Sequence, residues 1–258
     1  MSENQTHNIS WMFSIINESD NDYFWKNLEL LQEMNQTVCV VDGGSVDETK
    51  TDLKKRKITF HDLPESTRGQ RFEFGARQTQ ASILIFVHPR TRISPEVIRA
   101  MQIDLPSHHS WGAFTHSFDT DHIILRFTSW WSNTIRGDLR GIFYLDHVLW
   151  VRRSLLTQAG GFPAVAIFED TILCERLLRF GKPIRLPQTT VTSAVRFRKN
   201  GLTKQIMINQ LAKLRYYLRQ NNDSINRKYE SGFDLNGKNS PQGQQLASKI
   251  ADTDQQKN

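Results

Sequence analysis

Five acids in this 258-residue chain stand where a carboxylate can do chemistry: Glu18, Asp42, Asp146, Glu169 and Asp170. Each falls at the end of an apolar run or at a junction between loop and helix. Asp42 closes Val38-Cys39-Val40-Val41 and opens Gly43-Gly44-Ser45-Val46-Asp47. The apolar run reads as a buried parallel strand, and the two glycines let the backbone turn sharply at its carboxyl end. Open α/β sheets bind their ligands at that end of the strands. Capping is the competing role. Asp42 can cap its turn, and Asp170 can cap the helix that follows Phe168-Glu169-Asp170. Positive charge is the second resource: between Arg176 and Arg219 there are eleven Lys/Arg and no Asp or Glu. A block so one-sided suits a phosphate-bearing ligand, an anionic membrane face or nucleic acid.

The elements that must position these groups follow from the apolar patterning. Strands are expected over 9–16, 38–41, 58–60 and 83–87, with helices over 25–34, 47–56, 72–80 and 95–101. That order predicts an α/β fold with a mainly parallel, doubly wound sheet and helices on both faces. Trp111-Gly112-Ala113-Phe114 leads a further stretch of strand alternation, 123–132 is apolar and aromatic, and Gly160-Gly161-Phe162-Pro163 makes a turn before a helix over 171–180. An amphipathic helix over 202–218 carries Leu202, Ile206, Leu211, Leu214 and Leu218 mostly on one face. That face is expected to pack on the domain, with an anionic membrane as the alternative. No GxGxxG follows the first strand and no GxxxxGK[ST] occurs, which weakens the dinucleotide-binding and P-loop readings.

Composition bounds the rest. With 38% hydrophobic and 23% charged residues the chain can bury a core. Cys39 and Cys174 lack CxxC or zinc-type spacing, so a reduced, cytoplasmic compartment is expected. The polar N-terminus does not read as a signal segment, and no apolar run approaches the roughly 20 residues that span a bilayer. Residues 1–8 are expected to be flexible, 9–220 to form one domain, and the neutral, Asn/Gln/Ser/Gly-rich 221–258 to be a disordered tail.

A series of short motifs, in order, resembles inverting glycosyltransferases of family 2, which have the GT-A fold, and within them the small bacterial branch called selenodomain-associated transferases. The motifs are Ile15-Ile16-Asn17-Glu18, Val41-Asp42-Gly43-Gly44-Ser45-Val46-Asp47, Arg68-Gly69 before Phe74-Gly75-Ala76, and Phe86-Val87-His88-Pro89-Arg90-Thr91. Trp111-Gly112-Ala113-Phe114, Gly141 to His147, Gly160-Gly161-Phe162 and Glu169-Asp170 complete the set, over about residues 9–220. The resemblance implies a nucleotide-binding half over 9–100 and an acceptor and catalytic half over 101–220. It makes Asp170 the base that deprotonates the acceptor hydroxyl, with Glu169 its partner. It places Glu18, Asp42, Arg68, His88 and Arg90 around the nucleotide-sugar donor, with uracil as the base, and Asp146, His147 and Trp111 near the sugar or acceptor. Arg196, Arg198 and Lys199 match a diphosphate-contacting loop. The implied partners are a nucleotide-sugar and a saccharide or lipid-linked acceptor, with peripheral contact at the inner face of a membrane through 196–219.

One position departs from the pattern. The family carries an acidic metal-ligand motif, typically H-A-D-T, where this chain has His88-Pro89-Arg90-Thr91. Arginine cannot ligate the Mg²⁺ or Mn²⁺ that the family motif implies, and it reverses the local charge. Either Arg90 replaces the ion as a diphosphate clamp, or the chain has lost catalysis and binds a nucleotide-sugar on behalf of a partner. A metal site rebuilt from His88 with Asp146 or Glu169 is a third reading. Glu73, for the family's Asn, and His147, for its Gln, depart near the same site. A nucleic-acid-binding role for the basic face ranks last, because aromatics there are few and no recognised module occurs. No nucleic-acid partner is expected.

Overall fold

Ile9–Ile15 (β1) is buried at every position, as a strand must be when both faces of its sheet are covered. Trp11, Phe13 and Ile15 join one core with Phe24, Leu28 and Leu31 of α1 (Asp22–Glu33), while Met12 joins a second core with Phe72 and Ala76 of α3 (Arg68–Gln78). The computed structural model describes residues 8–103 and 110–230. Residues 1–7 of the expected flexible N-terminus and 231–258 of the expected tail lie outside the described residues.

The other strands are β2 (Thr37–Asp42), β3 (Phe60–Asp62), β4 (Ile83–Val87), β5 (Thr91–Arg92), β6 (Trp111–Phe118), β7 (Leu149–Arg152) and β8 (Ile184–Thr192). They form one sheet in the order β3-β2-β1-β4-β7-β6-β8-β5. The first four are mutually parallel, the doubly wound half expected from the sequence. β7 enters antiparallel to both β4 and β6, β8 runs parallel to β6, and β5 closes the edge antiparallel to β8. The remaining helices are α2 (Thr49–Lys55), α4 (Pro95–Ile103), α5 (Ile123–Trp130), α6 (Arg153–Gln158), α7 (Glu169–Leu177), α8 (Val195–Asn200), α9 (Leu202–Tyr217) and α10 (Asn222–Glu230). α5 continues into a π-helical segment, Trp131–Leu139.

Several boundaries differ from expectation for local reasons. α3 starts at Arg68 rather than 72, because Thr67 and Gln70 form a reciprocal capping box. That places Arg68 in the first helical turn. α7 starts at Glu169, so both acids of the pair lie inside the helix. α10 falls within the expected disordered tail, where it packs on α9 and buries Ile225. The largest correction concerns α9. Its buried residues are Gln205 and Ala212, whereas Leu211, Leu214 and Leu218 of the face expected to pack inward are exposed. No helix among the described residues is long and apolar enough to cross a membrane.

Candidate active site

A cavity of about 570 Å³ opens where the β4–β5 turn, the start of α3, the π-helical segment, the turn Leu145–His147, the start of α7 and the α8–α9 pair converge. Its polar lining includes Arg68, His88, Arg90, Arg136, Asp146, His147, Asp170, Arg196 and Lys213. Seven of these are expected site residues; Arg136 and Lys213 are new.

Asp170 is 7% exposed. Its Oδ2 accepts from the Leu145 amide at 3.1 Å and its Oδ1 from the Thr171 amide at 2.7 Å. Burial, reinforced by the neighbouring Glu169, holds its carboxyl well above the ordinary range, and Arg68 and the two amides oppose this only in part. Glu169 is fully buried and takes the Arg68 Nε–H on Oε1, leaving Oε2 without a partner among the described residues. Burial works against charge on Arg68, but Glu169, Asp170 and Asp146 together push its pKa up. Phe168, which precedes the pair, holds φ +63° with its ring 4.7 Å from that of Tyr216. Val148, after the Leu145–His147 turn, holds φ +54°. Non-glycine residues in the left-handed region are costly and concentrate at functional sites.

The β4–β5 turn explains itself. His88 Nδ1 accepts from the Arg90 amide at 3.1 Å, which fixes the neutral tautomer with its proton on Nε2. Burial, then Arg68, Arg90 and Arg196, keep the ring neutral well below the usual histidine range. Arg90 Nη2 lies 3.6 Å from Glu18 Oε2, which also accepts from Asn21 Nδ2 at 2.8 Å. Glu18 is thus a buried brace for Arg90, its carboxyl raised to about 7 by burial despite that arginine.

On the opposite wall Arg136 lies 3.4 Å above the Tyr144 ring, and Lys213 approaches the same ring at 5.9 Å. Burial, then Arg136, bring the Lys213 amine down to about 8. His147 Nε2 meets Ser132 Oγ at 3.1 Å, and its ring stacks on His116 at 5.1 Å. Burial, then His116 and Arg136, keep His147 neutral. The Asp146 carboxylate makes no hydrogen bond among the described residues; burial raises its pKa, and Arg68, Arg136 and Arg196 oppose that. Arg196 lines the cavity with its guanidinium 4.9 Å from the Tyr229 ring.

Other expected site residues are placed elsewhere. Asp42 is fully buried and spends its oxygens on the turn: Oδ1 accepts the Gly44 and Ser45 amides at 2.8 and 2.7 Å, and Oδ2 the Ser45 hydroxyl. Asp42 caps its turn there, and Lys50 Nζ lies 3.7 Å from the same Oδ1. Trp111 lies in the second core and donates its indole N–H to the Gly181 carbonyl at 3.0 Å, outside the cavity lining. Arg198 pairs with Asp119 at 3.0 Å, and Lys199 is exposed, so neither joins Arg196 at the cavity. Glu73 also leaves the site, accepting the Phe162 amide at 2.7 Å to hold the Gly160-Gly161 turn. Arg71, unremarked in the sequence, is fully buried behind the site with Nε–H donated to Ser14 Oγ at 2.7 Å. Gly43 makes room for it, because a Cβ there would lie 2.3 Å from Arg71 Nη1.

A divalent cation does not fit the donor set at the β4–β5 turn. Arginine occupies the central position, His88 has committed Nδ1 to a backbone amide, and Glu18 is engaged by Arg90 and Asn21. Among the described residues no three His, Cys, Asp or Glu side chains come together as a metal-binding group. Asp170 is thus a buried, proton-hungry carboxyl beside a set of fixed cations, an arrangement suited to deprotonating a hydroxyl while anionic charge develops nearby.

No protein-family profile matches the sequence, and no curated protein is similar to it. Solved structures are similar in fold. Mannosyltransferase PcManGT from Pyrobaculum calidifontis, in complex with GDP-Man and Mn²⁺, matches 95% of this chain and 75% of its own at 13% identity and a TM-score of 0.59. S. aureus TarS 1–349 in complex with UDP-GlcNAc matches 72% of this chain and 58% of its own at 15% identity and a TM-score of 0.53. Glucosyl-3-phosphoglycerate synthase from Mycobacterium tuberculosis, in complex with phosphoglyceric acid, matches 80% of this chain and 79% of its own at 16% identity and a TM-score of 0.51. The parallel half-sheet, the mixed strands that extend it and these neighbours agree: the chain has the GT-A fold of nucleotide-diphospho-sugar transferases.

Proposed function

We propose that this chain is an inverting glycosyltransferase that moves a sugar from a nucleotide-sugar to an acceptor hydroxyl, with arginines doing the work of a divalent cation. One observation carries the reading: Asp170, with its raised pKa, shares a cavity of about 570 Å³ with Arg68, Arg90, Arg136, Arg196 and Lys213. In the reaction the acceptor hydroxyl gives its proton to Asp170 as its oxygen attacks the anomeric carbon. The bond from that carbon to the β-phosphate oxygen breaks, and the pair of electrons leaves with the nucleoside diphosphate. A raised pKa makes Asp170 a stronger base than an exposed aspartate, and Arg68 limits the shift so that the carboxylate form stays accessible.

Arg90 and Arg196 are the proposed diphosphate ligands, since guanidinium pairs bidentately with phosphate oxygens. Arg136 and Lys213 extend the positive wall, and Asp146 and His147 face the sugar or acceptor. The fold supports a nucleotide-sugar donor, because PcManGT and TarS were solved with GDP-Man and UDP-GlcNAc. A uridine donor rests on the sequence resemblance alone, for Asp42 spends its carboxylate on its own turn.

The test is release of nucleoside diphosphate from a panel of UDP- and GDP-sugars in EDTA. We expect turnover with one donor, lost by about 10²–10⁴-fold in Asp170→Asn while nucleotide affinity is kept. No turnover with any donor, with or without Mn²⁺, would overturn the reading.

A further inference from the structure

The cavity opens between two helices that each expose an apolar face. Met207, Leu211 and Leu214 of α9 and Leu218, its C-cap, follow at spacings of four, three and four residues, one side of a helix, and are 42–63% exposed. On the other side Phe127, Trp130 and Trp131 form an exposed aromatic cluster with ring centroids 5.6–6.4 Å apart. Phe127 and Trp131 line the cavity as well as facing solvent, and so does Gln210 of α9, so the two faces border its mouth. Arg140, which ends the π-helical segment that begins at Trp131, donates to Tyr217 Oη of α9 at 2.7 Å.

Charge tells what covers this surface. α9 contains no acid, and Lys204 and Arg215 flank its exposed leucine stripe, with Arg219 just beyond. Interfacial helices combine leucine, an aromatic edge and flanking Lys/Arg in this way, and indoles favour the headgroup level of a bilayer. A second copy of the same face would bring these cations together. Residues 231–258 offer only Phe233, Leu235, Leu246 and Ile250 as large apolar groups, scattered among polar ones, and match the stripe poorly.

We propose that this face seats on an anionic lipid bilayer and holds the cavity mouth at headgroup level. The acceptor is then a membrane-borne amphiphile whose hydroxyl enters between α5 and α9. The acceptor assignment rests on the glycosyltransferase reading; the docking does not.

The docking test is co-sedimentation of the full chain with vesicles of phosphatidylcholine, with and without about one-third phosphatidylglycerol. Binding is expected on the anionic vesicles and to fall with salt. Leu214→Ser with Leu218→Ser, both on the solvent side, should weaken it about tenfold or more. Lys204→Gln with Arg215→Gln should weaken it on anionic vesicles by a similar factor. Thermal melts of the variants matching the parent show that the fold is kept. No sedimentation, or sedimentation indifferent to both double variants, overturns the docking. A solution dimer that the leucine variant dissociates, with no vesicle binding, assigns the face to a second copy instead. The acceptor test uses the donor selected by the hydrolysis screen, radiolabelled in its sugar, with vesicles of total lipid extract. Label in the organic phase supports a lipid acceptor, and label transferred only to water-soluble product overturns it. Vesicle binding without donor turnover of any kind counts against the glycosyltransferase reading and leaves the docking standing.

Discussion

Glu18→Gln should stabilise the protein at pH 8 and change it little at pH 5. Glu18 is 5% exposed, and burial raises its carboxyl from an ordinary 4.5 to about 7, although Arg90 and Asn21 favour the charged form. The folded chain therefore holds this proton more tightly than the unfolded chain. Ionising Glu18 costs nothing below the unfolded pKa; the cost grows as pH rises towards the folded value and then levels off. At about 1.4 kcal/mol per pKa unit, that gap comes to about 3 kcal/mol on the alkaline plateau and about 1 kcal/mol at pH 5. Glutamine keeps an oxygen for the Asn21 amide and removes the charge. The pull of Arg90, 3.6 Å away, is already contained in that raised value. A net gain of about 2 kcal/mol between the two pH values remains. Urea unfolding of parent and variant at pH 5 and pH 8 measures it directly. Equal effects at the two pH values, or a less stable variant at pH 8, would refute the reasoning. If Arg90 holds the diphosphate as proposed, nucleotide affinity should move the other way, because Arg90 loses its brace.

Three further outcomes follow. Gly69→Ala should reduce turnover sharply, because its Cβ would sit 1.9 Å from the Pro163 carbonyl oxygen and force α3 away from the loop leading to Glu169; a crystal structure or a donor titration of the variant shows whether Arg68 and Asp170 have shifted. The acidic limb of kcat/KM should lie well above pH 4, since Asp170 must be ionised to act and burial with Glu169 holds its pKa high; an activity plateau extending down to pH 4 contradicts this. Lys213→Met should weaken nucleoside diphosphate binding more at pH 7 than at pH 9, because an amine with a pKa of about 8 is mostly charged only at the lower pH; a titration at both values checks it.

Much of the fold was legible because its first half is written in short-range patterns. β4 is an uninterrupted apolar run, β2 holds the run Val38–Val41, β1 is apolar apart from Ser10 and Ser14, and the strand end at Asp42 reads correctly as a sharp turn. That Asp42 caps its own turn was not legible, because capping and ligand contact need the same residue and the cap is seen only in the bonds from the Gly44 and Ser45 amides. The second half depends on pairing between distant segments. Nothing near Leu149–Arg152 says that it will run antiparallel between β4 and β6, and two-residue β5 carries no alternation to read. α9 shows the limit most clearly. Leucine spacing marks a stripe, but which side is covered depends on Gln205 and Ala212 facing inward, a tertiary fact. Arg136 and Lys213 were missed for the same reason, for the π-helical segment and the orientation of α9 bring them to Tyr144. By contrast, Thr67-Arg68-Gly69-Gln70 did carry a readable capping-box signal for the early start of α3.

Calorimetric titration of UDP and of GDP into the parent protein and into Arg90→Ala, each in EDTA and again with Mn²⁺, tests the central claim most directly. The account predicts that one nucleotide binds the parent equally well in both conditions, and that Arg90→Ala weakens it by about tenfold or more through loss of a charge-assisted contact. Binding that appears only with Mn²⁺, or binding that Arg90→Ala leaves unchanged, would contradict it.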